Sequence, residues 1–281
     1  LASVVLMIYV ARYLSKKTND NLTFKESILP LWVPVGLVLL LILPANFSTT
    51  AIIFSMVLVL MFLGGYPVKY LGIIVAAGLL LLTMFILTAK AFPGLLPNRV
   101  DTWASRIESF TNDEDTEADY QIEKAKIAIA SGGVAGTGIG KSVQRNFLPQ
   151  SSSDFIYAII VEEMGLIGAF GVMGAYLLLL FRIVIVATKS NTVFGKLLVM
   201  GVGLPIIFQA LINMGVAVEL FPVTGQTLPL ISSGGTSIWM TCMALGIILS
   251  VSAKREEMKE REEAEKELDN ENPLDILSEA I

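Results

Sequence analysis

The sequence predicts an all-α, polytopic membrane protein, and three observations carry that prediction. Of its 281 residues 54% are hydrophobic and only 16% charged, against about 25% charged residues in soluble domains. Its mean hydropathy is +0.70. Several apolar stretches approach the roughly 17 to 25 residues that a helix needs to cross a bilayer. Leu79 to Leu87 and Tyr176 to Val186 carry no polar stripe that could face water. These stretches cannot all share one small soluble core, which sets aside an unusually apolar soluble bundle.

Membrane helices are expected at about 1 to 14, 29 to 45, 47 to 64, 68 to 89, 155 to 187, 194 to 217 and 230 to 252, about seven in all. The first is short: the chain opens on Leu1 and reaches Arg12 before a span is complete. It is therefore expected to begin inside a helix, with the true N-terminus upstream and no signal peptide to be judged. Short connections rich in Lys and Arg mark the cytoplasm. They follow the first helix (Arg12, Lys16, Lys17, Lys25) and recur at Lys69, at Lys189 and Lys196, and at Lys254 and Arg255. Every second connection is then internal, which puts the Pro44 to Ser48 turn, the segment at about 90–154 and the Glu219 to Leu230 segment together on the outer face. The organisation is one transmembrane domain over 1–253, with that extracytoplasmic loop, followed by a charged cytoplasmic tail over 254–281.

Trp32 and Trp239 stand near helix ends and read as interfacial anchors, and Trp103 inside the loop reads as resting on the lipid surface. The tail is a Glu/Lys-rich helical pattern too polar for a core of its own, ending in the weakly apolar Pro273-Leu-Asp-Ile-Leu. It reads as a solvated tail, with a partner-binding amphipathic end as the alternative.

The chain has no histidine and one cysteine, which excludes a Cys/His zinc site, a Ser-His-Asp triad and a Cys-His pair. Acid-base work falls to Asp, Glu, Lys or Tyr. Cys242, in an apolar stretch, reads as a small packing residue. No cofactor is demanded by the sequence; a metal, if used, would take oxygen ligands, as Mg²⁺ or Mn²⁺ does.

The concentrated chemistry lies between Lys90 and Phe155: Arg99 and Arg106, the glycine run Ser131 to Gly140, then Phe147-Leu-Pro-Gln-Ser-Ser-Ser-Asp154-Phe155 before apolar sequence resumes. One decoy sits here. Ala135-Gly-Thr-Gly-Ile-Gly-Lys141-Ser142 falls one residue short of the G-x-x-x-x-G-K-[ST] phosphate loop, with Ala135 in place of the first glycine. A nucleotide loop also needs a buried strand before it and a helix after it, on the side of the membrane where ATP is found. The glycines are read instead as allowing tight turns and close backbone approach, to a lipid head group among other targets.

The order of motifs resembles the SEDS family of FtsW, RodA and SpoVE over essentially the whole chain. The pieces are Val10-Ala-Arg-Tyr-Leu14, Arg106-Ile-Glu-Ser-Phe110, Tyr120-Gln121, Ser131 to Gly140, Ser142-Val-Gln144, Leu148-Pro149, Asp154-Phe155, Glu162-Glu163-Met-Gly165 and Phe221 to Ser237. The Ser-Val-Gln and Asp-Phe-Ile-Tyr-Ala wording is closer to the division branch, FtsW, than to the elongation branch, RodA. The resemblance implies about ten membrane helices in the full family, the first three and part of the fourth lying upstream of this sequence. It implies a peptidoglycan glycosyltransferase that polymerises lipid II into glycan strands at the outer face of the bacterial cytoplasmic membrane, at the division septum. It further implies a class B penicillin-binding protein as crosslinking partner, alongside other divisome membrane proteins, and no nucleic acid.

Carried over residue by residue, the family's loop aspartate is Asp154, its loop arginine Arg106 and its paired acids Glu162 and Glu163. The sequence departs from the family at Ser152 and Ser153, where histidine and threonine are common, and at Gln150, where Leu-Pro-Glu is usual. Leu43-Pro-Ala-Asn46 replaces a Gln-Pro-Asp turn, and an expected lysine falls at Ser3.

The residues support that chemistry on their own terms. Glycosyl transfer from a lipid pyrophosphate needs a base for the attacking sugar hydroxyl and positive charge for the departing diphosphate. Asp154 can be the base: desolvation beside Phe155 and the bilayer would raise its pKa, while a nearby arginine would oppose the rise. Its alternative is a helix N-cap. Arg99, Arg106, Lys141 and Arg145, with Gln144 beside them, are candidate diphosphate ligands; binding of membrane lipid phosphates is the alternative. Glu162 and Glu163 lie two turns into the next helix, where an ionisable group faces a cavity or a partner; one lining the site and a structural salt bridge are both open. The Phe221 to Ser237 segment, with Ser232, Gly234 and Gly235, reads as non-helical backbone packed on protein near the membrane edge, able to cover a lipid groove. Two other function classes remain: a lipid-precursor transporter, which needs charged groups along a path through the membrane, and a noncatalytic division scaffold, indifferent to Asp154.

Overall fold

The computed structural model describes residues 1–17, 24–91 and 117–270; Arg99, Trp103, Arg106 and the Pro273 to Leu277 end of the tail lie outside them. Among the described residues there is no strand. The helices are α1 (Ala2–Lys16), α2 (Phe24–Ile42, including a wide turn at Ile28–Trp32), α3 (Phe47–Leu63), α4 (Val68–Ala91), α5 (Glu117–Gly132), α6 (Ile156–Lys189), α7 (Val193–Ala217) and α8 (Gly235–Asn270). By length and composition α2, α6, α7 and the Gly235–Arg261 part of α8 can each cross a membrane, and α3 and the Val68–Met84 part of α4 are shorter apolar helices. This is a multi-pass membrane protein, and its apolar helices fall where the hydropathy pattern puts them.

The core is organised around α7. Of its most apolar stretch 61% is buried, against 17% for each of the other three spans, so α7 is wrapped by protein while the others present flanks to lipid. Glycines make this wrapping possible. A Cβ on Gly201 would stand 2.9 Å from Leu60 of α3, and one on Gly203 would stand 2.7 Å from Ile183 of α6. Small residues let helix backbones approach where lipid supplies no hydrophobic drive between helices. Thr192 caps α7 by accepting from the Gly195 amide at 3.0 Å, and Asn46 caps α3 by accepting from the Thr49 amide at 3.0 Å.

Proline shapes α2. Pro34 has no N–H to donate to the Pro30 carbonyl one turn back, and the helix widens at Ile28–Trp32. The freed Pro30 carbonyl is taken by the Tyr9 hydroxyl of α1. Trp32 is half-buried, its indole N–H donating to the Tyr66 hydroxyl at 3.4 Å, so it is tied to protein as well as placed near a helix end. Trp239 is 76% exposed. Cys242 is exposed on α8 and does not pack into the core.

Two further differences matter. The charged segment after α4 holds α5, a helix of 16 residues whose buried stripe is Ile122, Ala125 and Ala128. Three-residue spacing places these on one face, but alanines among acids and lysines give a faint signal. The last span begins at Gly235, after non-helical Leu230 to Gly234, and its helix continues unbroken past Lys254 into the Glu/Lys-rich sequence.

Three connections gather at one end of the bundle. Gln226 Nε2 donates to Thr49 Oγ1 at 3.0 Å, Lys126 pairs with Glu219 at 2.6 Å, and Asn213 donates to the Asp154 carbonyl at 2.7 Å. The opposite end holds Arg12 over the Phe194 ring and the buried Ser27–Tyr66 hydroxyl pair. The turn at Pro44 to Ser48, the loop before α6 and the α7–α8 connection therefore share a face, as the charge alternation requires.

Candidate functional site

The glycine run is a seat for a broken helix. Within α6, Gly165 takes φ 65° and ψ −161°, a conformation open essentially to glycine alone, and the helical ladder opens there. The freed Glu162 and Glu163 carbonyls accept from the Thr137 and Gly138 amides at 2.9 and 3.0 Å, and the Leu166 amide donates to the Gly133 carbonyl at 3.0 Å. A break inside a membrane helix is tolerated where neighbouring protein satisfies the freed groups. The approach leaves no room for side chains. A Cβ on Gly136 would lie 2.1 Å from the Glu163 carbonyl oxygen, and one on Gly165 2.3 Å from that of Val134. Two amides of the phosphate-loop look-alike, those of Thr137 and Gly138, are thus spent on α6, and α5 rather than a strand precedes it. Gly132 and Gly136 make their close backbone approach to α6.

Glu162 lies beneath the next stretch of loop. It is 2% exposed, yet its Oε1 accepts from the Val143 and Gln144 amides at 3.0 and 3.3 Å and its Oε2 from the Ser142 hydroxyl at 2.5 Å. Three donors, not a cation, make the burial of a carboxylate acceptable. Ser142 Oγ also accepts from the Arg145 amide at 3.1 Å, starting the short turn Gln144–Asn146. Glu163 is half-buried and meets the glycine run through its carbonyl. Lys141 and Arg145 are exposed on this turn. The Gln144 Oε1 on the same turn is buried with no hydrogen-bond partner.

The chain then reverses at Gln150, which adopts φ 59°; its carbonyl accepts from the Ser153 and Asp154 amides at 3.0 and 3.2 Å. Three successive carbonyls are next clamped from distant elements. That of Ser152 takes both the amide and hydroxyl of Ser233, each at 2.9 Å. That of Ser153 takes the Ser232 hydroxyl, and that of Asp154 takes Asn213 Nδ2. Asp154 is half-buried, one residue before Phe155, the N-cap of α6; the capping position belongs to Phe155. The Asp154 carboxylate faces Gly225: a Cβ there, where φ is +65°, would lie 3.7 Å from Oδ2.

The α7–α8 connection that does the clamping is itself fixed. Ser232 Oγ accepts from the Leu228 amide at 2.7 Å, the Gly234 amide closes onto the Ser232 carbonyl at 2.9 Å, and Gly235 opens α8. Gln209 Nε2 donates to the Thr227 carbonyl at 3.0 Å. The Tyr176 hydroxyl of α6 donates to the Pro229 carbonyl, just before Leu230 at φ 68°. Side chains and short backbone turns together satisfy this non-helical backbone.

The chain matches the family model described as "Cell cycle protein", covering FtsW, RodA and SpoVE, over residues 1–257. It belongs to the FtsW/RodA/SpoVE family. Proteins named "Probable peptidoglycan glycosyltransferase FtsW" are among its relatives: that of Nitrosococcus halophilus is 32% identical over 89% of this chain and 64% of its own length. That of Xanthomonas oryzae pv. oryzae is 35% identical over 89% and 50%, and that of Coxiella burnetii 34% over 90% and 67%. The chain thus spans about half to two thirds of the length of these curated relatives. Among solved structures, a chain from work on "Structural coordination of polymerization and crosslinking by a peptidoglycan synthase complex" superposes with a TM-score of 0.63 at 25% identity, covering 89% of this chain and 68% of that one. The Thermus thermophilus rod shape determining protein RodA gives 0.56 at 23%, covering 90% and 64%, and shares the fold.

The structure brings Ser232 against Ser153, the residue before Asp154, and the Gln144 amide against Glu162, with Arg145 joined to that carboxylate through Ser142; Gly234 and Gly235 make no contact with Asp154 among the described interactions. Arg99 and Arg106 lie outside the described residues. Sequence reasoning missed Asn213, Gln226 and Gly225. The first had a signal: an amide one turn after Gln209 in an otherwise apolar stretch of α7, where membrane burial of a polar group is costly without a task.

Proposed function

We propose that this protein is a peptidoglycan glycosyltransferase that polymerises lipid II, with Asp154 as general base. The carrying observation is the setting of Asp154: a half-buried carboxylate at the lip of α6, on a turn whose carbonyls are held by α7 and the α7–α8 connection. Such preorganisation is what proton abstraction from a sugar hydroxyl requires. The hydroxyl oxygen attacks the donor sugar's anomeric carbon, the bond from that carbon to the diphosphate oxygen breaks with its electron pair, and the proton passes to Asp154. Lys141 and Arg145, exposed on the adjoining turn, together with Arg99 and Arg106, supply charge to the departing diphosphate. Gln144 offers a further polar contact. A Mg²⁺ or Mn²⁺ ion, if used, would take oxygen ligands, the diphosphate's own among them.

The site faces outward from the cytoplasmic membrane at the septum in this reading. A class B penicillin-binding protein, with other divisome membrane proteins, is the partner that crosslinks the strands. The distribution of charge favours an enzyme over a transporter: Glu162 is the one buried charged side chain among the described residues, and it lies at the loop face, not along a path through the bilayer. Asp154→Asn tests the reading, because it keeps size and removes the base. In the complete protein with its partner, lipid II polymerisation should fall by roughly 10² to 10⁴ at normal membrane abundance and thermal stability. Polymerisation near the wild-type rate by well-folded Asp154→Asn defeats it.

A further inference from the structure

We infer that Asn213 is the positioning residue for Asp154, an inference that rests on the glycosyltransferase reading above. Asn213 lies near the end of α7 and is 1% exposed. Its Nδ2 donates one hydrogen to the Asp154 carbonyl at 2.7 Å and the other to the Gln226 carbonyl at 2.6 Å. A primary amide carries two donors on one atom without charge. One nitrogen thereby joins the backbone of the base to the backbone next to Gly225, the residue its carboxylate faces. The amide has a single workable orientation, since turning it over would aim Oδ1 at two carbonyl oxygens.

That orientation leaves the Asn213 Oδ1 buried with no hydrogen-bond partner. An orphaned buried acceptor offsets part of what the two donated bonds contribute to stability. The arrangement continues outward: Gln226 Nε2 donates to Thr49 Oγ1 at 3.0 Å, at the first turn of α3, whose start is fixed by the Asn46 cap. Asn213 therefore references Asp154 to α7, to the α7–α8 connection and, through Gln226, to α3. It acts through Asp154 and does not touch substrate.

The test uses the complete protein with its partner transpeptidase, reading lipid II polymerisation kinetics, membrane abundance and melting point. Asn213→Ala is expected to lower kcat about 10- to 100-fold, the scale of a misplaced catalytic group, with KM changed by less than about threefold and abundance unchanged. Asn213→Ser restores one donor and should fall between Ala and wild type. Wild-type kcat in Asn213→Ala, a raised KM at constant kcat, or activity lost only in step with abundance overturns the inference. Should Asn213→Ala fail to accumulate, Asn213→Ser decides: a lower kcat at wild-type KM supports positioning, and wild-type kcat or failure to accumulate overturns it. Asp154→Asn, run in parallel, separates the two levels. If Asp154→Asn is inactive while Asn213→Ala is normal, only the positioning role falls; if Asp154→Asn is active, the assignment of Asp154 as base falls and the positioning role with it; if the wild type does not polymerise lipid II, the glycosyltransferase reading itself falls.

Discussion

The glycine segment at 132–140 and the serine-rich segment at 150–155 flank the same buried half of α6 and are held there in opposite ways. The first is fixed by its own backbone, whose amides and carbonyls complete the broken ladder around Gly165. The second is fixed by side chains of other elements, Asn213, Ser232 and Ser233, which reach its carbonyls. What the glycine segment requires is the absence of a Cβ; what the serine segment requires is particular donors elsewhere. Substitutions should therefore act on stability in the first and on reaction geometry in the second.

The largest effect on folding is expected at the helix break. Gly165→Ala forces a side chain into φ 65°, ψ −161° and into the Val134 carbonyl, with no flexible side chain to yield. A loss of more than about 4 kcal/mol is expected, read as failure to accumulate in membranes or as early melting in detergent. Normal melting would mean that the glycine segment can leave α6, and the contrast between the two segments would collapse.

Glu162 stands between the two modes, a side chain holding backbone. Glu162→Ala leaves the Val143 and Gln144 amides and the Ser142 hydroxyl without their acceptor. With roughly 1–3 kcal/mol for each buried donor orphaned, partly recovered by water, a loss of about 3 kcal/mol is expected. Glu162→Gln keeps an acceptor for the two amides and should cost about half as much. Melting of both variants checks the order, and equal melting of Gln and Ala would show that the amides are not what Glu162 holds.

The spans were legible in the sequence because a bilayer demands long apolar runs, and no local detail can mask them. Asp154 was legible by resemblance and by its place where polar sequence gives way to apolar. The helix break was not: Gly165 between Met164 and Leu166 reads as a packing glycine in a continuous helix, and only its distant partners Gly133, Thr137 and Gly138 reveal the opening. Nor was α5, whose buried alanines contribute little apolar area amid the charges. The work of Ser232 and Ser233 was hidden for a related reason. Hydrogen bonds across about eighty residues leave no periodicity, and short-range pattern is what sequence reading detects.

The smallest effect is expected where, among the described residues, α5 meets the α7–α8 connection through charge. Lys126 and Glu219 pair at 2.6 Å with both side chains about half exposed. Donating a hydrogen bond to Glu219, and then the attraction of its negative charge, raise the lysine's pKa above its usual 10.5. The sign follows: the charged lysine is favoured in the folded state, so the contribution is complete below the ordinary lysine value and fades as pH climbs through the raised one. Solvent and salt screen a pair this exposed. Lys126→Met should leave melting near pH 7 within error of wild type, with any difference between the two proteins fading as pH climbs through the raised lysine value or in high salt. A drop as large as that of Glu162→Ala would show the pair to be a principal latch between α5 and the connection that clamps Asp154, placing charge alongside backbone and amide donors in holding the site together.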